Sequence, residues 1–394
     1  MKALFWCLCG LIAWSYVLYP ALMVLLAAMA GRRYRMDESY EPFVSILVPA
    51  YNEEPVIAAK LENARALDYP PGRLEIIVAS ESTDGTDDVV RSFAGRAGAP
   101  VRLITSAERL GKVANLRRAV PVSRGDILVF TDANAMFDRD ALHKLVRWFA
   151  DPRVGAVSGR LVLSVPGSSA SGKAEEAYWD LEMILKKASS ALGSLPGANG
   201  SLFALRRDVY HPISERRGDD FELPIRAVIS GHASLLEPEA VSREGASPRY
   251  RDEYRRKVRI VNWMIVSALI LLGEALRAGR WLLAFQLLSH KLNRWASALW
   301  LLALAPISLL LASQGGVYLL ACVAQALVYA LAFCGFLIDR AGRGEGGEGG
   351  GGRMPRIFGV PLYFVIVNSA ALMGMLTCVL GREVMWHKRP DGAA

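Results

Sequence analysis

Residues 129–142 read VFTDANAMFDRDAL, and the fold is decided by what flanks the Thr-Asp-Ala-Asn turn. Ahead of it, Asp126-Ile127-Leu128-Val129-Phe130 crowds β-branched and aromatic residues into few positions, the mark of a short buried strand. Behind it, Leu142, Leu145, Val146 and Phe149 fall on one helical face. Asp132 and Asn134 place two oxygen-bearing side chains at a strand end, where they can converge on one hard cation such as Mg2+ or Mn2+. Taken alone, the tetrapeptide reads more readily as an Asx-rich turn. Its neighbours have to decide.

Upstream, similar apolar runs recur at Phe43–Val48, Leu74–Ala79 and Val101–Thr105, separated by helical patterns such as Val56, Ala59, Leu61, Ala64 and Leu67. Strands alternating with helices predict an α/β domain with a mostly parallel sheet and covering helices. Ligands of such sheets bind beyond the carboxyl ends of the strands. Those ends carry Pro49-Ala50-Tyr51-Asn52-Glu53-Glu54, Ser80-Glu81-Ser82-Thr83-Asp84 and Thr131-Asp132-Ala133-Asn134, so three polar clusters face one crevice. No G-x-G-x-x-G follows the first strand, and Gly111-Lys112 lacks the glycine spacing and the Ser or Thr of a P-loop. Both absences argue against a dehydrogenase or an NTPase.

Of the 394 residues, 53% are apolar, and the excess sits in a few blocks, as membrane segments require. The net charge of +8 clusters at the ends of those blocks, as in Arg32-Arg33-Tyr34-Arg35 and Arg255-Arg256-Lys257-Val258-Arg259. That pattern suits anionic headgroups and phosphorylated ligands better than a nucleic-acid stripe. The five cysteines all lie in apolar blocks without metal-ligand spacing and read as small hydrophobes. Ala28-Met29-Ala30 looks like a signal cleavage site, but the uncharged run before it is longer than a signal core, and the Arg cluster behind it marks the cytoplasmic side.

The expected organisation is an N-terminal transmembrane anchor (1–31), a cytoplasmic α/β domain (36–250) and a basic segment with interfacial helices (251–292). Within that last segment, 260–273 is too short to span. A transmembrane hairpin (293–338), a Gly-rich flexible linker (339–356), a further apolar helix (357–381) and a basic tail (382–394) follow. The length of 357–381 favours a span; the basic tail favours a re-entrant or interfacial course. Multi-pass insertion in the cell (inner) membrane follows.

To bind a nucleoside-diphosphate sugar the crevice would need contacts for the base and ribose, a metal and fixed cations, although Lys112 and Arg109 taken alone read more readily as a solvated turn. Glu53 and Asp84 are candidates for the base and ribose, Asp132 and Asn134 for a metal on the diphosphate, and Lys112 for a fixed cation. Asp219-Asp220 reads in isolation as acids offsetting a helix dipole ahead of Phe221-Glu222-Leu223-Pro224.

In order and spacing, VSILVPAYNEE (44–54), ESTDGT (81–86), RLGKVANL (109–116), FTDANA (130–135), GANGSLFALRR (197–207), GDDFELP (218–224) and RRKVRI (255–260) resemble the inverting family 2 glycosyltransferases, in particular membrane-embedded polysaccharide synthases. The resemblance implies a GT-A-type, Rossmann-like mixed-sheet catalytic domain with transmembrane and interfacial helices at both ends. It implies a nucleotide-sugar donor (a UDP- or GDP-sugar), Mg2+ or Mn2+ as cofactor, and a growing polysaccharide or lipid-linked sugar as acceptor. Pro49, Tyr51, Glu53 and Asp84 would border the nucleoside, Lys112 the phosphates, and Asp132 with Asn134 the metal. Asp220 would be the general base with Asp219 beside it. Arg256 and Arg259 would stand on the leaving diphosphate, and Trp386 would match a gating segment. Ile260 stands where the family's Gln-x-x-Arg-Trp motif has its Trp. A single transfer to a polyprenyl-phosphate carrier is therefore one alternative, and a non-catalytic scaffold of a polysaccharide assembly complex another.

Overall fold

The computed structural model describes residues 1–164, 170–214, 217–245, 250–341 and 354–382. Helix α1 (Lys2–Ala30) is continuous, with a π turn at Trp14–Leu18. The α/β domain then runs β1 (Val44–Ala50), α2 (Glu54–Arg65), β2 (Leu74–Ser80), α3 (Thr86–Ser92), β3 (Val101–Thr105), α4 (Lys112–Val122) and β4 (Ile127–Phe130). Next come β5 (Met136–Phe137), α5 (Ala141–Val146), β6 (Val154–Ser164), α6 (Ala170–Ala191), β7 (Phe203–Arg206), α7 (Asp219–Ile229) and β8 (Ala233–Gly245). Four further helices close the chain: α8 (Tyr250–Arg277), α9 (Trp281–Gln314), α10 (Gly316–Ala341) and α11 (Arg356–Val379).

The eight strands form one sheet in the order β3-β2-β1-β4-β7-β6-β8-β5. The first four are parallel, as the alternating pattern predicts, with Val44 opposite Leu74 and Ile127. The sheet is mixed because β7 pairs antiparallel with both β4 and β6. Alternation along β1 explains the layering. Ile46 and Val48 pack under Ile57 and Leu61 of α2 and Leu142 and Leu145 of α5. Leu47 faces the other way, with Leu128 and Phe130, toward Val113 and Leu116 of α4 and Leu223 of α7. At the parallel-to-antiparallel seam, the fully buried rings of Phe130 and Phe203 stack with centroids 4.7 Å apart.

Among the described residues five helices are long and apolar enough to cross a membrane: α1, α8, α9, α10 and α11. Residues 260–273 are thus part of a 28-residue helix that meets this length, although the apolar stretch alone is short. Helix α6 docks on α1 through Leu185, Ala188 and Leu192 against Tyr19 and Met23. Asn262 of α8 donates to Thr377 Oγ1 of α11 at 3.0 Å. The apolar helices are therefore tied to the domain and to one another. Most of the linker and the tail, with Trp386, His387, Lys388 and Arg389, lies outside the described residues.

Phe203→Ala empties the stacked seam and should cost about 3–5 kcal/mol of stability. Thermal unfolding of the purified protein in detergent should show a clear fall in midpoint, with Phe203→Leu falling less.

Candidate active site

Separate segments converge beyond the carboxyl ends of β1, β2 and β4. Gly111, at φ 93°, lets the chain turn into α4. Buried Glu81, just past β2, fixes that turn by accepting the N–H of Leu110 at 2.6 Å and of Gly111 at 3.0 Å. Lys112 is therefore held as the first residue of α4. Its ammonium lies 2.8 Å from Asp132 Oδ1 and 3.3 Å from Asp219 Oδ2. The second contact is an ion pair without hydrogen-bond geometry, since Asp219 Oδ2 is buried and accepts no hydrogen bond. Burial disfavours the ammonium, but Asp132, Asp219 and Asp220 outweigh it and hold the Lys112 pKa above its ordinary value.

Asp219 and Asp220 open α7. A Cβ at Gly200 would stand 3.2 Å from Asp220 Oδ2, and one at Gly218 3.1 Å from Oδ1, so two glycines leave room for this carboxyl. Burial, then the charge of Asp219, pushes the Asp220 pKa up to about 6, with Lys112 opposing. Asp219 is raised as well, chiefly by burial.

Beneath Asp132 the turn is braced. Lys60 of α2 is fully buried and donates to Thr131 Oγ1 at 2.9 Å and to the Ala135 carbonyl at 2.5 Å. Its ammonium stands 3.7 Å from the centre of the Phe137 ring. Burial drives its pKa down to about 7, against the pull of Asp132 and Glu244. Glu244, at the end of β8, has a buried Oε1 with no hydrogen-bond partner, and burial followed by Asp132 pushes its pKa up to about 7.

Helix α8 covers the membrane-facing side. Arg256 holds Glu253 with two hydrogen bonds of 2.7 and 2.9 Å. The fields of both Asp132 and Asp220 reach Arg259. At the other end of the crevice, Asn52 takes a left-handed φ of 54°, donates to Ser82 Oγ at 2.9 Å and accepts from Thr83 N at 2.7 Å. Glu53 N donates to Thr86 Oγ1 at 2.8 Å. Asp84 accepts from Thr86 N and Oγ1 at 3.0 and 2.5 Å and from Glu54 N at 3.4 Å, so its carboxylate ties two strand-end loops together. The Arg109 guanidinium lies 4.1 Å above the Tyr51 ring, and Pro49 is half-buried at the end of β1.

Lys112, Asp132, Asp219 and Asp220 thus form one cluster, and Arg259, over the Trp263 ring, is near enough to feel Asp132 and Asp220. Pro49, Tyr51, Glu53 and Asp84 belong to the adjoining β1–β2 end. Sequence reasoning missed Lys60, Glu81 and Glu244. Lys60 carried a signal, because it lies three residues after Ile57 and four before Ala64 on the buried face of α2. Glu244 carried none; it ends a strand without a motif.

The donors around Asp132 suit a hard cation: its carboxylate, the exposed Asn134 amide and the partnerless Glu244 oxygen. No group of three His, Cys, Asp or Glu side chains among the described residues makes a metal site by itself. Phosphate oxygens would have to complete the coordination.

Residues 45–213 match the sequence model of glycosyl transferase family 2. An N-acetylglucosaminyltransferase of Rhizobium leguminosarum is 33% identical over 132 residues, which cover 33% of this chain and 72% of that protein. The chain is a family 2 glycosyltransferase. A beta-monoglucosyldiacylglycerol synthase of a Nostoc species is 30% identical over 230 residues, covering 55% of this chain and 49% of the relative. The enzyme spans about half the length of the first curated relatives it matches. The solved structure of a mannosyltransferase from Pyrobaculum calidifontis, in complex with GDP-Man and Mn2+, aligns with 96% of this chain and 100% of its own at a TM-score of 0.70. At 24% identity that likeness establishes the GT-A-type fold of the glycosyltransferase.

Two outcomes follow from the charges. With burial and Asp219 pushing the Asp220 pKa up to about 6, a reaction that uses Asp220 as its base should lose turnover as pH falls through that value. Asp219→Asn removes the neighbouring charge and should move the bend to lower pH, which a pH–rate profile measures. Lys60→Met keeps the volume and removes both braces of the Asp132 turn, so the apparent donor KM should rise roughly 10-fold while the protein stays folded.

Proposed function

We propose that the enzyme transfers a sugar from a UDP- or GDP-sugar to a lipid-borne acceptor at the cytoplasmic face of the cell (inner) membrane, by a single inverting displacement. The observation that carries this reading is the cluster in which Lys112 stands between Asp132 and Asp219, with Asp220 beside it and Arg259 near enough to feel Asp132 and Asp220. Leaving-group cations and an acceptor-side carboxylate are the two requirements of such a displacement. Arg32, Arg33 and Arg35 follow α1 directly and the basic start of α8 precedes its apolar stretch, so both basic clusters lie on the domain's side of these helices, which favours the cytoplasmic side for the domain.

Asp220 accepts the proton of the acceptor hydroxyl. That oxygen forms its bond to the anomeric carbon as the carbon–oxygen bond to the diphosphate breaks, and the electron pair stays on the phosphate. Lys112 and Arg259 take up the charge that develops there, with Arg256 behind them. Asp132, with Asn134 and Glu244 near it, would hold Mg2+ or Mn2+ on the diphosphate, and the ion supplies charge neutralisation of the leaving group when bound. Pro49, Tyr51 and Glu53 border the nucleoside, and Asp84 sets the loop that they share.

Single transfer is favoured over processive synthesis by Ile260, which leaves no aromatic platform under an acceptor sugar. A relative named for making a monoglucosyldiacylglycerol supports a lipid-borne acceptor.

Nucleoside diphosphate release from a panel of UDP- and GDP-sugars, with Mg2+ or Mn2+, tests the reading; no release from any donor would sink it. Asp220→Asn should lower turnover roughly 10²–10⁴-fold with donor affinity retained. Asp132→Asn should weaken donor affinity and turnover together, and added metal should restore part of the loss. Near-normal turnover of a folded Asp220→Asn protein would place the base elsewhere.

A further inference from the structure

Near Asp220, where α6 meets α9, lies a second charged cluster that the transfer chemistry does not use. Its centre is Glu182 of α6, whose Oε2 lies 3.4 Å from His290 Nε2 and 3.2 Å from Arg294 Nη1 of α9. Aromatic rings of α1 wall it in. Tyr19 stacks on His290 with centroids 5.6 Å apart, and the Arg294 guanidinium stands 5.7 Å from the Tyr16 ring. The one carboxylate is thus already engaged.

Two more cations belong to the same patch. Lys186 follows Glu182 by one helical turn, and Lys291 follows His290 directly. Among the described residues neither has a carboxylate within 4.0 Å. They are near enough to feel each other's charge, and Asp220 feels Lys186 as Lys291 feels Asp220. Lys291 Nζ also stands 5.9 Å from the ring of Phe221, the residue next to Asp220. Glu182 also acts on Lys291 but is shared with His290 and Arg294, so the two lysines bring positive charge in excess of it and favour an anion between them. The setting restricts which anion. His290, Lys291 and Arg294 lie just ahead of the uncharged run 295–338, so the patch sits where the crevice gives way to apolar helices.

We propose that Lys186 and Lys291, flanked by Arg294, bind the phosphate of an anionic lipid acceptor whose hydroxyl-bearing headgroup reaches Asp220 and whose tail runs along the apolar helices. This rests on the glycosyl-transfer reading above and adds the acceptor's chemical class. The hydroxyl proton passes to Asp220, the hydroxyl oxygen bonds to the anomeric carbon, and the nucleoside diphosphate leaves with its electron pair. The acceptor phosphate takes no part in bond making; it fixes the hydroxyl beside the base. Two lipid classes carry this chemistry, a hydroxylated diacyl phospholipid and a polyprenyl-diphosphate sugar.

The test uses the full chain in phosphatidylcholine nanodiscs, with three added lipids: phosphatidylglycerol, a polyprenyl-diphosphate sugar, and uncharged diacylglycerol. Native mass spectrometry reads lipid retention independently of catalysis. Retention of one or both phosphate-bearing lipids, but not of diacylglycerol, is expected, and the two phosphate arms tell the sources apart. Lys186→Gln and Lys291→Gln should each weaken retention about 10-fold, the worth of one charge-assisted bond. In nucleoside diphosphate release, the same variants should raise the acceptor KM by a similar factor and leave the donor KM within about twofold. Diacylglycerol retained and glycosylated as well as the charged lipids, or a Lys186→Gln/Lys291→Gln protein that retains phosphate lipids unchanged, would overturn the proposal. If no donor releases diphosphate while phosphate-bearing lipids are still retained through these lysines, the transfer reading fails and the lipid site stands.

Discussion

The ion pair that Lys112 makes with Asp132 and Asp219 joins the ends of β2 and β4, which the sheet already spaces through β1, to the start of α7. Lys112 is set by the end of β2 through Glu81, Asp132 by the end of β4, and Asp219 by the start of α7. The turn after β4 is clamped from below by Lys60, and α7 rests its Leu223 against the same core as Leu128 and Phe130. Each charge is therefore carried by a rigid element. Long side chains on a flexible surface would lose most of such an interaction to entropy and screening. Here the carboxylates are partly or wholly buried, and the ammonium between them offsets a repulsion that would otherwise open the crevice.

The parallel half of the sheet was legible because β1, β2 and β4 are buried on both faces and read as short apolar runs, while the edge strand β3 keeps enough β-branched and apolar residues to show. Leu74–Ala79, Val101–Thr105 and Ile127–Thr131 match β2, β3 and β4 to within a residue. The antiparallel half was not. β6 and β8 are long and interrupted by register shifts, so neither keeps a strict alternation along its length. β7 is only four residues and lies inside a motif read for its chemistry. The site divides the same way. Asp132, Lys112 and Asp220 sit in compact motifs, whereas Glu244 and Lys186 become neighbours only through tertiary packing. Asp84 shows the converse: its motif is plain, yet its carboxylate is spent on Thr86 and Glu54.

The apolar helices make the domain's open side into a boundary. α8 begins with Arg251, Arg255, Arg256, Lys257 and Arg259 and then turns apolar, so a single helix has one end at the crevice and the other among its neighbours α9 and α11. α6 is the counterpart on the far side, packed on α1 by Leu185, Ala188 and Leu192. Its Glu182 anchors the start of α9 through His290 and Arg294. Reading α8 by its apolar stretch alone understates it, because the helix is continuous through the charged turn and the charges are what connect it to the chemistry.

Under the proposed mechanism, charge balance at the centre links donor binding to the strength of Asp220 as a base. In the free enzyme Lys112 is shared between Asp132 and Asp219, and Asp220 is raised to about 6 with Lys112 and Lys186 opposing the rise. A diphosphate entering beside Lys112 competes with both carboxylates for the same ammonium. To the extent that Lys112 turns toward phosphate, Asp219 and Asp220 lose its stabilising field and their proton affinity rises. The base then becomes stronger when the donor is in place and weaker when it is not. An acceptor proton is drawn off most readily in the state in which an anomeric carbon is waiting to receive the oxygen, and this coupling follows from one lysine serving two sets of anions.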